Sequence, residues 1–462
     1  MNTVKTVEQK REERRQFMLE GNLLKVIPVI ALPQVVSMLI DSLYNMADTY
    51  FVSQLGKAAT AAVGVNDSLM MIVRAISLGF GMGASSYISR QLGAKNHDEA
   101  SRAASTTLIT AMGVITSISV LAFIFRQPLV VLLGATETSK SFSIEYASWI
   151  LLSAPFTAAS VCLSQSLRAE GSTTYSMIGS VSGCIINIFL DPLFISVLGM
   201  GVAGAAIATG ISKLISVMIL LYPYRARMCI IDIRLKYFTP KLPLYSESAR
   251  MGIPTMLRTS LMSISTIIIN NIAGGFGDAA LAAVSVANKS MKFVASAVMG
   301  FGQGFQPIAG FCWGAKKYKR VKKAFALTSF IGIVLCTILG TALFIFAEPA
   351  ITIFSSDLDV LDIGMLLIRS QCVVLPMHVW VIISTGMFQA LGKPFQAGFL
   401  GLCRQAFSLI PCVIIMTNIW GLTGLSLAQA ASDVVSFCFA AAMVIPMIKE
   451  LTRRQNEVDA VE

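Results

Sequence analysis

The sequence predicts an all-α integral membrane protein, with twelve transmembrane helices in two six-helix bundles related by a pseudo-twofold axis along the membrane normal. The first supporting observation is composition: 55% of the 462 residues are hydrophobic, 13% are charged, and the mean hydropathy is +0.72. Soluble domains carry about 25% charged residues, so this composition excludes an ordinary soluble domain. The second observation is a series of apolar runs, and the third is an internal repeat.

Each apolar run is long enough to cross a bilayer as a helix, and polar segments separate one run from the next. The first 22 residues are charged and lack a cleavable apolar segment, so no signal peptide is expected. The predicted spans are residues 24–53, 59–89, 103–125, 143–167, 174–198, 202–224, 250–273, 281–311, 324–346, 363–389, 396–418 and 422–447.

The distribution of Lys and Arg predicts the orientation of these spans. Most of the 36 basic residues lie in alternate connecting segments, which places both termini in the cytoplasm by the positive-inside rule. The net charge of +11 is therefore a signal of topology in a multi-pass plasma membrane protein, and nucleic acid is not an expected partner. The predicted divisions are a cytoplasmic tail at 1–23, a bundle at 24–224, a cytoplasmic linker at 225–249, a bundle at 250–447 and a cytoplasmic tail at 448–462.

The two halves of the chain repeat each other without a gap when one is shifted by 221 residues. The segment 56–65 (GKAATAAVGV) matches 277–286 (GDAALAAVSV) at seven of ten positions. Six spans per half is an even number, so both halves insert the same way up. Prolines and glycines recur because each sets a helix bend or a close helix contact. The recurring pairs include Pro33 and Pro254, Gly79 and Gly300, Gly81 and Gly302, and Gly83 and Gly304.

A polar stripe crosses the first span. Its five residues are spaced by 3, 4, 4 and 3 positions, which puts them on one face of a helix. Carboxylates inside a spanning helix are costly and normally face a cavity or a partner, so the stripe predicts a site for a proton or another cation. The alternative is that Asp48 lies near the membrane surface while Asp41 pairs with a basic residue. The stripe consists of Gln34, Ser37, Asp41, Asn45 and Asp48.

The fifth span supplies a second wall for this site. Asn187 and Asp191 are four residues apart and share a helix face, and Pro192 removes a backbone hydrogen bond beside them. Acids brought together in a medium of low dielectric constant can share or exchange protons. Under the 221-residue shift the acids are not repeated, which points to a site in the first bundle alone. The counterparts of Asp41, Asp48, Asn187 and Asp191 are Met262, Ile269, Ser408 and Cys412.

The remaining polar residues do not have the spacing of an enzyme active site. The nine cysteines have neither metal-binding nor disulfide spacing, and His378 is interpreted as a core histidine whose hydrogen bonds are satisfied. An intramembrane enzyme would need a nucleophile–histidine pair or a set of metal ligands, so no enzyme activity is expected. Arg74 is predicted to pair with Asp41 or Asp67. Lys213 and Asp433 are either paired or directed into a cavity.

Several motifs together resemble the multidrug and toxic compound extrusion (MATE) transporters, in particular their MepA-like branch, over nearly the whole chain. They are residues 44–49 (YNMADT) after Pro33, 168–171 (RAEG), 187–192 (NIFLDP), and 302–307 (GQGFQP) leading to 314–316 (GAK). The resemblance implies export of organic cations in exchange for H⁺ or Na⁺ around a central cleft, by alternating access of two bundles. It implies no cofactor or metal other than a possible Na⁺, and a monomer.

The resemblance also assigns roles to residues. The positions matching the family's coupling site are Asp48, Asp191 and Asn187, and Asp41 is added to them from the polar stripe. Ser164 and Gln165 stand where the family often has two asparagines. The alternative function is a flippase for a lipid-linked or other amphipathic metabolite, which predicts a basic cleft. The expected substrate-binding residues are Gln34, Ser37, Asn45, Ser164 and Gln165, and the expected helix-bending residues are Pro33, Pro192 and Pro254.

Overall fold

The computed structural model describes residues 7–352 and 357–460, without the side chains of Val7 and Lys10, and these residues form helices with no strand among them. The outermost ends of the two predicted cytoplasmic tails lie outside the described residues. The helices are α1 Val7–Glu20, α2 Leu23–Ser53, α3 Lys57–Gly93, α4 His97–Ile124, α5 Arg126–Leu132, α6 Lys140–Ala169, α7 Thr173–Pro192, α8 Gly201–Arg225, α9 Leu242–Gly274, α10 Asp278–Gly314, α11 Tyr318–Ile345, α12 Ala347–Thr352, α13 Leu358–Ala390, α14 Pro394–Leu402 and α15 Leu409–Asp459.

Each predicted span corresponds to a helix. In the described part of the chain, ten helical segments are long and apolar enough to cross a membrane. The last of them, Pro394–Asp459, contains two predicted spans and is interrupted at Gly421, whose φ is 57° and ψ is −133°. The predicted span 281–311 corresponds to α10, which is not among these ten segments; α10 has the same 37-residue length as α3 and carries Lys289 and Lys292. The prediction of an all-α membrane protein with a duplicated architecture is confirmed.

The chain forms two compact units. Unit 1 comprises Met1–Phe17 and Val36–Met256, and unit 2 comprises Met18–Val35 and Leu257–Glu462. The boundaries inside α2 and α9 fall close to Pro33 and Pro254, which interrupt the backbone hydrogen bonds of these two helices. The division of the sequence into tails, bundles and linker at 23, 224, 249 and 447 remains a prediction.

Repeated glycines let helices approach closely in unit 1. A Cβ atom on Gly79 of α3 would lie 2.5 Å from Met256 Cγ, and a Cβ atom on Gly83 would fall on the backbone of Ser248. Both contacts are made by the first half of α9. Gly81, between them, faces α6, where its Cβ would lie 2.8 Å from Gln165 Cγ. Only glycine permits this spacing of backbones.

Unit 2 contains the same arrangement, built from the repeated residues. A Cβ atom on Gly300 of α10 would lie 2.7 Å from Val35 Cα, and one on Gly304 would fall on the backbone of Ala31. These contacts involve the first half of α2. Gly302 faces Ile382 of α13 at 2.6 Å in the same way. The sequence repeat therefore reflects a repeated helix packing.

A buried carboxylate anchors the segment that follows α8. Glu170 is 0% exposed, and its Oε2 accepts hydrogen bonds from the backbone N–H groups of Ile230 at 2.9 Å and Ile231 at 3.0 Å. Its Oε1 accepts a bond from the Ser172 hydroxyl and lies 3.5 Å from Arg14 Nη1 of α1. A single acid of the RAEG motif thus holds both the chain after α8 and the amino-terminal helix on unit 1.

Candidate functional site

Two carboxyl groups meet where two helices of unit 1 end. Asp48 lies in the last two turns of α2, and Asp191 is the penultimate residue of α7. Their side chains are within hydrogen-bonding distance of each other. Asp191 is 0% exposed, whereas Asp48 is half-buried. Asp48 and Asp191, which the sequence predicts to form one site from the first and fifth spans, are therefore in contact.

A hydrogen bond between the two carboxyl groups requires a proton. Within residues 7–352 and 357–460, no N–H or O–H donor meets hydrogen-bond geometry at either side-chain oxygen of Asp191 or at the buried Oδ1 of Asp48, although the Asn187 side chain lies close to Asp191. An ionised carboxylate is only an acceptor, so two of them form a hydrogen bond only when one carries a proton. Two unpaired negative charges in a buried place are costly. The geometry calls for a proton or another cation.

Polar side chains of α7 and α8 extend the site. Asn187 is 1% exposed and contacts Asp191, and its Nδ2 donates to Thr209 Oγ1 at 3.4 Å. Its Oδ1 is buried and has no donor among the residues that the structure describes. Tyr44 of α2 hydrogen-bonds Thr209 and interacts electrostatically with both acids. Lys213 Nζ lies 5.9 Å from the centre of the Tyr44 ring, so this lysine contacts an aromatic face.

A third acid belongs to the same region. Asp67 of α3 interacts electrostatically with Asp48, and Tyr146 of α6 interacts electrostatically with Asp48, Asp67 and Asp191. The sequence pattern predicts Asp67 only as a possible partner for Arg74. Its distance along the chain from Asp48 gave no signal of proximity, because only the packing of α3 beside α2 brings the two together.

Asp41 has a different environment from Asp48. Its Oδ2 lies 3.0 Å from Arg74 Nη2 of α3, which selects one of the two pairings predicted for this arginine. Arg168 of α6 also acts on both members of the pair. Asp41 therefore has a counter-charge of its own. Its assignment to ion coupling stays a prediction, to be judged against this ion pair.

The five residues predicted to bind substrate have different environments in the structure. Gln34 belongs to unit 2, where its side chain is 0% exposed and its amide atoms have no partner in the described part of the chain. Asn45 Nδ2 donates to the Asp41 carbonyl of its own helix. Ser164 accepts from Arg168 Nη2 at 3.1 Å. Ser37 and Gln165 are buried, the latter against Gly81. Their role in substrate binding remains a prediction.

The three prolines lie inside helices, as expected. Pro33 and Pro254 interrupt α2 and α9 near their unit boundaries. Pro192 ends α7, and the chain continues as a π-helical turn over Leu193–Val197. Such turns often accompany functional sites. Asp191 stands directly before the change of helix geometry.

The carboxylates do not form a site for a multivalent metal. In the residues that the structure describes, no three His, Cys, Asp or Glu side chains converge as metal ligands do. The Asp48–Asp191 pair with the Asn187 amide is a smaller donor set, which suits a proton or a monovalent cation.

A comparison with known protein families matches most of this chain. The MatE family model matches twice, over residues 33–193 and 254–414, and the two matches are 221 residues apart at both ends. The chain belongs to the MatE family. MatE proteins are transporters, so this chain is a multi-pass membrane transporter and not an enzyme.

Individual MatE proteins are similar to this chain over nearly its full length. The chain is 26% identical over 438 residues to Multidrug export protein MepA of Staphylococcus aureus (strain MSSA476), covering 94% of this chain and 96% of the relative. It is 25% identical over 456 residues to the protein of the same name from Staphylococcus saprophyticus, covering 98% and 99%. A solved outward-facing structure of a multidrug resistance MATE family transporter of the MOP superfamily matches with a TM-score of 0.90 and 25% identity, covering 94% and 98%.

Proposed function

We propose that this protein exports amphipathic organic cations in exchange for protons bound at Asp48 and Asp191. The contact between these two carboxyl groups carries the proposal. The name multidrug export protein, borne by relatives over nearly the full chain, supports the substrate class. The distribution of basic residues supports cytoplasmic termini in a plasma membrane protein.

The coupling follows from competition for negative charge. A cationic substrate and a proton each neutralise the same buried acids, so binding of one favours release of the other. Tyr44 and Tyr146, which interact electrostatically with both acids, add aromatic rings of the kind that attract organic cations. Alternating access then carries the substrate outward and protons inward.

The geometry favours H⁺ over Na⁺ as the coupling ion. Two carboxyl groups at hydrogen-bonding distance are joined by one proton, which forms an O–H···O⁻ bond and removes one charge. Na⁺ would have to be held with oxygen atoms of Asn187 and Thr209 added to those of the acids. Exchange of two protons for one monovalent cation moves one net charge, worth about 2.3 kcal/mol per 100 mV.

Uptake by inside-out vesicles tests this function. Three conditions are compared: an acidic lumen, a lumen loaded with Na⁺, and ATP without either gradient. The readout in each is uptake of rhodamine B ethyl ester, a fluorescent cation. We expect uptake with an acidic lumen only. The Asp48→Asn and Asp191→Asn variants should each lose it, whereas Asp278→Asn, an exposed carboxylate-to-amide change at the start of α10, should retain it.

Each other outcome has a distinct meaning. Uptake that needs only Na⁺ replaces the proton by a sodium ion at the same acids. Normal uptake by both variants removes the site assignment, and uptake driven by ATP alone removes the antiport mechanism. Thermal unfolding in detergent checks that both variants fold.

A further inference from the structure

Unit 2 contains a charged cluster that the sequence repeat does not predict. Asp433 of α15 is 5% exposed, and its Oδ1 accepts a hydrogen bond from Arg404 Nε at 2.7 Å. The same oxygen lies 3.2 Å from His378 Nδ1 of α13. His378 is buried and bonded, as expected for a core histidine. The carboxylate of Asp433 is therefore shared by two side chains from other helices.

The backbone around Arg404 is shaped for this contact. Cys403–Ser408 forms a π-helical turn, in which carbonyl groups are less well paired than in an α-helix. Ser265 Oγ of α9 donates to the Gln405 carbonyl at 2.8 Å, and Ser432 Oγ of α15 donates to the Arg404 carbonyl at 3.2 Å. The two serines hold the turn, and the turn directs Arg404 towards Asp433.

A second arginine lies beside this cluster. The side chain of Arg258 passes over Gly401, where an added Cβ would lie 3.1 Å from Arg258 Cδ, so the missing side chain at 401 makes room for it. Arg258 and Arg404 repel each other electrostatically. In the described residues, the buried Nε of Arg258 has no hydrogen-bond partner.

The charges of the cluster do not cancel. The one negative charge of Asp433 is paired with Arg404. Arg258 adds a second positive charge, and no carboxylate bonds to it in the described part of the chain. A cation within a membrane helix is normally paired, because leaving it unpaired is costly. Under the 221-residue shift, Arg258 and Arg404 correspond to Ser37 and Gly183, so the repeat has no arginines at the equivalent positions of unit 1.

We propose that Arg258 and Arg404 form a binding site for an oxyanion, which Asp433 and His378 support by holding Arg404 in position. Guanidinium groups present paired N–H donors that match a carboxylate or a phosphate group. The oxyanion is either the carboxylate of a zwitterionic substrate or the phosphate of a phospholipid. Only the first of these sources rests on the export function proposed above.

Binding to the purified protein tests the site without requiring transport. The probes are rhodamine B, whose carboxylate makes it a zwitterion, and its ethyl ester, which differs by lacking that negative charge. Fluorescence anisotropy gives both affinities. Arg258→Gln should weaken rhodamine B binding about tenfold, the loss of a charge-assisted hydrogen bond, and leave the ester unchanged. Arg258→Lys should keep part of the preference.

Two further proteins provide controls. Arg369→Gln removes an arginine of α13 that stacks on Phe344, with 5.3 Å from the guanidinium carbon to the ring centre, and should leave both affinities unchanged. Arg404→Gln is combined with Asp433→Asn, so that the Asp433 carboxylate is not left without its arginine partner. This double variant should lose the preference for rhodamine B as Arg258→Gln does.

Lipid nanodiscs distinguish the two sources. If anionic phosphatidylglycerol, but not phosphatidylcholine, displaces rhodamine B from the original protein and is bound more weakly by Arg258→Gln, the site takes a lipid phosphate. If phosphatidylglycerol has no effect while Arg258→Gln weakens rhodamine B alone, the site takes the substrate's carboxylate. If neither rhodamine B nor phosphatidylglycerol responds to Arg258→Gln, the proposal is wrong. All three outcomes are independent of whether Asp48 and Asp191 exchange protons.

Discussion

Arg74 Nη2 of α3 lies 3.0 Å from Asp41 Oδ2 of α2, so one of the two acids in the polar stripe of α2 has a counter-charge of its own. The other acid, Asp48, lies about two turns further along the same helix and faces a second carboxylate, Asp191. The stripe that looks uniform in sequence therefore has two electrostatic parts. One is a paired charge, and the other is the acid at which we propose that protons are exchanged.

A double-mutant cycle on Arg74 and Asp41 should show their coupling. Arg74→Gln and Asp41→Asn should each lower the free energy of unfolding, because each leaves one charge unpaired. The double variant should recover part of the loss, with a coupling energy of about 1 kcal/mol for a pair whose side chains are 52% and 31% exposed. Thermal unfolding of the four proteins in detergent measures it. Strictly additive losses would mean that the pair contributes nothing.

The glycine repeat predicts matched defects in both units. Gly83→Ala would place a methyl group on the Ser248 backbone, and Gly304→Ala would place one on the Ala31 backbone. Each should lower the free energy of unfolding by about 1–3 kcal/mol. Gly113→Ala in α4 is the control, since nothing lies within 4 Å of its added methyl group, and it should stabilise by about 0.5–1 kcal/mol. Equal stability of all three variants in thermal unfolding would contradict the close packing.

Labelling of the Cys229 thiol tests whether Glu170 anchors the segment that follows α8. Burial raises the pKa of the Cys229 thiol, and the nearby charge of Glu170 raises it further. A thiol with a raised pKa stays protonated in the folded protein after the unfolded chain has lost its proton. Its contribution to stability is therefore present below the ordinary thiol pKa of about 8.5 and is lost as the pH rises above it.

The expected result is slow reaction of Cys229 with N-ethylmaleimide between about pH 7 and pH 9, whereas an accessible thiol accelerates over this range. Glu170→Ala should speed labelling of Cys229, because the Ile230 and Ile231 N–H groups lose their acceptor. Glu137→Ala, at an exposed glutamate of unit 1, should not. Mass spectrometry of the labelled peptide measures the rate. Rapid labelling of the unaltered protein would show that the segment after α8 is not anchored.

Hydrophobicity and repetition predicted much of the fold from the sequence. The twelve apolar runs correspond to helices because a spanning segment must satisfy its own backbone hydrogen bonds in lipid. The recurring glycines marked close helix contacts correctly, since no other residue fits where Gly83 and Gly304 lie. The spacing of Asn187 and Asp191 likewise placed both on the face of α7 that meets α2.

Contacts between distant helices were harder to predict. Asp67 reaches the acids of α2 through the packing of α3, and Arg404 meets Asp433 and His378 through a π-helical turn. Neither arrangement has a periodic signal: the first depends on how α3 packs, and in the second a change of helix geometry shifts every following side chain around the axis. The sequence repeat also gave no indication of the Arg404 contacts, because the counterpart of Arg404 in the first half is Gly183.

The most direct test of proton exchange at Asp48 and Asp191 is proton release when substrate binds to the purified protein. A pH-indicating dye in weakly buffered detergent solution reports protons as rhodamine B ethyl ester is added. The unaltered protein and Asp278→Asn should release protons in proportion to bound ester, and Asp48→Asn and Asp191→Asn should release far fewer. Equal release by all four proteins would contradict the account, because the protons would then come from elsewhere.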